Sequence, residues 1–194
     1  MNAYKKYMAE FVGTFALVFI AAGSVCADFY LRQAGGQGLG LLGISIAFGI
    51  VVIAVIYATS YVSGSHVNPA VTVSFWITKR MEPNTAIMYI ISQIAGASLA
   101  GLALKTLFPD AAKTVYLGTC VLAPGVSIAR GVLMEFIITF LLIFTIYGTL
   151  VDKRASPGFA GVAIGLVVLF GAMIGGTISG GAMNPARVFG PALA

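Results

Sequence analysis

Charge is scarce in this sequence: eleven Lys or Arg and six Asp or Glu make up 9% of its 194 residues, against roughly 25% in a typical soluble domain. So few charges exclude a water-solvated globular surface. There is one histidine, His66, and a single His offers no coordination set for a metal. The two cysteines, Cys26 and Cys120, are too few for a disulfide framework, and their pairing cannot be assigned from sequence. No His/Asp/Glu cluster or nucleophile constellation of an enzyme is present, and no cofactor or metal site is expected. What abounds is apolar: 59% of residues are hydrophobic and the mean hydropathy is +1.00.

The net charge of +5 does not point to nucleic acid, because the basic residues sit in short connections rather than on one face. Lys5 and Lys6, Lys79 and Arg80, and Lys153 and Arg154 mark connections that share one side if helices alternate. An excess of Lys and Arg makes that side cytoplasmic. The expectation is a multi-pass protein of the cell membrane with a cytoplasmic N-terminus. The basic start before an apolar run suggests a signal peptide, but the run is too long and lacks a convincing cleavage site before Asp28. A retained first helix is expected, and Val25 argues against a lipoprotein reading at Cys26.

Long apolar segments run from about Tyr7 to Ala27, Leu39 to Val62, Thr85 to Leu107, Arg130 to Val151 and Gly158 to Ile178. Each is near the ~20 residues that a spanning helix needs, which predicts five spans. Ser63 to Trp76 and Ser179 to Leu193 are apolar but too short to cross, and read as half-membrane segments. Turn residues punctuate the connections: Gly35, Gly36 and Gly38; Pro109 and Asp110; Pro124 and Gly125; Ser156, Pro157 and Gly158. Asp110 and Lys113 read as solvated loop charges, and the small residues from Gly96 to Gly101 as a close-packing helix face.

The two halves repeat. Ala9 to Phe19 aligns without a gap to Met134 to Phe144, pairing Glu10 with Glu135; Ser63 to Ala70 aligns to Ser179 to Ala186, pairing two Asn-Pro-Ala tripeptides. An odd number of spans in the first half makes the second enter from the opposite face, so the repeats are inverted. Repeat one covers about residues 1–107 and repeat two about 130–194 of a single domain, 1–194. The pattern predicts a sixth spanning helix after Leu193, absent from this sequence.

Non-helical backbone at membrane depth is tolerated only where protein buries it or it lines a cavity. Asn followed by Pro is a strong helix start, so Asn68-Pro69-Ala70 and Asn184-Pro185-Ala186 each open a short helix. Inversion would bring both starts to the midplane. Two helix ends of roughly half a positive charge each would repel cations and orient water oxygens. The Asn amides could donate to a passing molecule. Glu10 and Glu135 are read as acceptors for loop amides rather than proton relays.

These paired motifs, the two glutamates and the run from Met183 to Ala192 resemble the aquaporin (major intrinsic protein) family over essentially the whole chain. The resemblance implies an all-α membrane channel, assembled as a homotetramer, passing water and small neutral solutes while excluding protons and ions. It places Phe48, Ala172, Gly181 and Arg187 in the selectivity constriction, and His66 in a pore-lining or loop-supporting position. Water channels commonly have a His where Ala172 stands, so a wider, less polar constriction is implied, open to ammonia, urea, hydrogen peroxide or small uncharged acids. Val188 after Arg187, Ala192 and Phe48 all depart from the glycerol-facilitator pattern, the alternative within the family. An ion-coupled transporter would need titrating groups at the midplane, and Glu10 and Glu135 are the only acids within the predicted spans.

Overall fold

The computed structural model describes residues 3–156 and 158–194; Met1, Asn2 and the turn residue Pro157 lie outside the described residues. The architecture is all-helical among these residues, in chain order α1 (Ala3–Gln33), α2 (Gly40–Ser63), α3 (Pro69–Ile77), α4 (Pro83–Leu107), α5 (Pro109–Thr114), α6 (Ile128–Ile146), α7 (Ala160–Gly175) and α8 (Pro185–Leu193). A 3-10 turn, Tyr116–Gly118, follows α5, and a π-helical turn, Tyr147–Val151, extends α6.

Among the described residues, four helices are long and apolar enough to cross a membrane: α1, α2, α4 and α6 with its extension. The fifth expected span is shorter than its apolar segment. α7 has 16 residues, about 24 Å at 1.5 Å per residue, less than the ~30 Å hydrocarbon core. It ends early because the chain folds back on itself: the amides of Ile178, Ser179 and Gly180 all turn to the Gly175 carbonyl. The connection around Asp110 and Lys113, read as a loop, contains α5; both charged residues are exposed.

α1 packs between α4 and α2, α2 packs on α7, and α4 packs on α8. Small residues set these distances. A Cβ on Gly96 would lie 2.2 Å from the Phe11 carbonyl oxygen of α1, and one on Gly49 would lie 2.7 Å from the Gly165 oxygen of α7. No side chain fits at either crossing, so the backbones touch, as membrane helices do when van der Waals packing replaces the hydrophobic drive. Large apolar residues such as Leu42, Ile50, Phe136, Phe144 and Ile174 are exposed outside the bundle. In water such a belt would aggregate; in lipid it is the solvated face.

Candidate functional site

Two segments interrupt the helical bundle, and their backbones behave alike. α2 ends at Gly64 in a left-handed cap, φ +87, and Ser65 and Val67 follow at φ +53 and +41. After α7 the corresponding Gly180, Gly181 and Met183 have φ +89, +61 and +50. A β-branched residue such as Val67 in this region is strained, and such strain persists where surrounding bonds over-determine it.

Those bonds come from the two glutamates. Glu10, fully buried on α1, accepts from Ser63 Oγ (2.6 Å) and the His66 amide (3.0 Å) on Oε1, and from the Val67 amide (2.6 Å) and Gln93 Nε2 (2.8 Å) on Oε2. Glu135 on α6 accepts from Ser179 Oγ (2.5 Å) and the Ala182 amide (2.9 Å) on one oxygen and the Met183 amide (2.9 Å) on the other. Each carboxylate therefore satisfies backbone donors that no helix serves.

Each strained loop runs into an Asn that caps a nine-residue helix. Asn68 Oδ1 accepts from the Ala70 amide at 2.9 Å, with Pro69 at the first helical position. Asn184 Oδ1 accepts from the Ala186 and Arg187 amides at 3.0 and 3.3 Å, with Pro185 in the equivalent place. The two ends are then tied together. Asn68 Nδ2 donates to the Met183 carbonyl at 2.8 Å, and Asn184 Nδ2 donates to the Val67 carbonyl at 2.9 Å. A primary amide has two N–H donors, so one on each Asn is left for a guest.

Both asparagines line a narrow apolar cavity bounded also by His66, Val168, Phe48 and Arg187. It leaves about 60 Å³ for the centres of water-sized molecules, several times the roughly 10–15 Å³ that one water needs. That is room for a short file of waters. A second cavity of about 350 Å³ borders Phe48, Ala172, Gly180 and Arg187. Phe48 and Arg187 line both, and so stand at the boundary, or neck, where the two cavities meet.

Arg187 is 3% exposed, and its Cζ lies 4.9 Å from the Phe48 ring centroid, a cation–π contact. Its Nη1 donates to Cys120 Sγ at 2.7 Å. Of the other expected constriction residues, Ala172 borders the wide cavity, while Gly181 packs behind it: a Cβ on Gly181 would meet Ala172 Cα at 3.0 Å. The neighbouring Gly180 borders the cavity in its place. His66 is buried, its Nδ1 3.2 Å from Thr72 Oγ1 and its ring against Phe75 and Tyr89.

Three contributors escape sequence reasoning. Gln93 bridges Glu10 and Thr72 Oγ1, and Tyr89 donates to the Ser63 carbonyl at 2.7 Å. Gln93 could have been found, since an amide in the middle of an apolar span is seldom idle. Cys120 reaches Arg187 from a connection with no motif, and nothing local signals it.

The major intrinsic protein family model matches residues 1–194. The chain is 41% identical over 203 residues to aquaporin AqpM of Methanothermobacter marburgensis, covering 97% of this chain and 82% of that protein. It is 40% identical over 209 residues to probable aquaporin AqpM of Archaeoglobus fulgidus, covering 100% and 84%. The fold matches the X-ray structure of the aquaglyceroporin from Plasmodium falciparum with a TM-score of 0.88, at 22% identity, over 99% of this chain and 81% of that one.

Proposed function

Given that the chain belongs to the major intrinsic protein family, whose members are passive membrane channels, we propose that it conducts water and small neutral solutes and excludes protons and ions. The observation that carries this is the reciprocal tie between Asn68 and Asn184 at the narrow cavity. Two capped helix starts aim positive dipole ends at one point, and each Asn keeps a free N–H. A cation there meets positive potential, and a water chain is oriented outward from the centre on both sides, which breaks proton relay. The rest of the lining is mostly apolar.

Arg187 and Phe48 form the second barrier, a fixed positive charge in a desolvated neck. Ala172 leaves the wide cavity beside the neck open, which supports ammonia, urea, hydrogen peroxide or small uncharged acids as further solutes. A glycerol-type selectivity is the second reading, favoured by that same small side chain.

Glu10 and Glu135 serve in this reading as scaffold, and His66 supports the loop before Asn68. The chain is one domain of two inverted repeats, inserted with its N-terminus cytoplasmic and assembled as a homotetramer. An open apolar groove beside α6 is lined by Val132, Phe136, Thr139, Phe140 and Glu135. α4 covers Glu10 and supplies Gln93; Glu135 has no such donor among the described residues, and is the half-buried one of the pair. Stopped-flow permeability of proteoliposomes to water, urea and glycerol tests the whole reading and assigns the solute class.

A further inference from the structure

Arg187 carries five N–H donors, yet inside the bundle its guanidinium has few partners. Among the described residues these are Cys120 Sγ and the face of Phe48, and Nε has none although the residue is 3% exposed. One bond and one ring therefore fix the plane of a buried charge beside a cavity of about 350 Å³ into which it could swing.

The sulfur that makes this bond is itself immobilised. Cys120 Sγ lies 3.3 Å from the Gly180 carbonyl, so the thiol donates there and accepts from Arg187. Gly180 leaves the space that Cys120 occupies: a Cβ at that position would sit 2.8 Å from both Cα and Cβ of Cys120. Cys120 thus lies wedged between the backbone before Asn184 and the charge after it.

We infer that Cys120 is a positioning residue for selectivity: its thiol holds the Arg187 guanidinium against Phe48 and so sets the width of the neck. Removing the sulfur frees Nη1, and the side chain relaxes toward the outer cavity. The neck then passes larger neutral solutes relative to water. The inference rests on the channel reading above.

The test is the ratio of urea to water permeability in proteoliposomes of wild type, Cys120→Ala and Cys120→Ser. The ratio should rise about three- to tenfold in Cys120→Ala, the scale of one lost hydrogen bond, and return toward wild type in Cys120→Ser, which keeps a donor and an acceptor. A purely structural role would scale both permeabilities together. An unchanged ratio in Cys120→Ala, with wild type conducting, overturns the inference alone; a wild type that conducts neither solute overturns the channel reading and this inference with it. If Cys120→Ala does not fold, the S–H stretching band decides, in a Cys26→Ala background with one thiol left. That band should shift when Arg187 is changed to Leu, and a band that stays in place refutes the contact.

Discussion

Asn68 and Asn184 each donate to the carbonyl just before the other, across a separation of more than a hundred residues. Neither loop can move without breaking the bond that the other needs. The midpoint of the cavity is therefore rigid by mutual restraint, and its two remaining N–H groups hold fixed directions.

Asn184→Asp should lose this restraint and add a negative charge. The Nδ2 donor disappears, leaving the Val67 carbonyl unpaired, a cost of about 1–3 kcal/mol for a buried group. A carboxylate would also neutralise the helix-end potential that repels cations. The expected outcome is reduced water flux together with a proton leak, read with a pH-sensitive dye in the vesicle lumen.

Glu10→Gln should destabilise more than Glu135→Gln. Glu10 is fully buried and accepts four bonds, two of them from backbone amides, whereas Glu135 is half-buried and accepts three. Putting an NH₂ where only donors converge costs about 1.5–3 kcal/mol per charge-assisted bond lost. Thermal unfolding in detergent should give the lower midpoint for the Glu10 variant, and equal midpoints would contradict the scaffold role.

Much of this scaffold is legible in the sequence, because its causes are local. Asn followed by Pro predicts a capped helix start from cap chemistry alone, and Glu10 and Glu135 stand out as acids in apolar runs that align with each other. The spans follow from apolar length, except for α7, whose end depends on where the chain folds back to the Gly175 carbonyl. Contacts between distant segments are not legible. Cys120 meets Arg187 across 67 positions, and no local pattern marks Gly180 as bordering the wide cavity.

Gly96→Ala should separate α1 from α4. The new methyl would lie 2.2 Å from the Phe11 carbonyl oxygen, and overpacking of this kind costs about 1–3 kcal/mol. Gly148→Ala is the control, since nothing lies within 4 Å of its Cβ position and its φ is not positive. The expected result is a lowered unfolding midpoint for Gly96→Ala and none for Gly148→Ala.

Ala172→His should narrow the neck. An imidazole placed on the wall of the cavity bounded by Phe48 and Arg187 fills space that now admits larger solutes. Urea permeability should fall relative to water by about tenfold, within the range that one group in a pocket commands. An unchanged ratio would place the selectivity step elsewhere.

The most direct measurement is osmotic shrinkage of proteoliposomes by stopped-flow light scattering, with wild type beside Arg187→Val and Asn184→Asp. The account predicts fast water flux with a low activation energy in wild type, tight to protons, and a loss of that tightness in both variants. Water flux no faster than bare lipid, from protein shown to be folded, would contradict it.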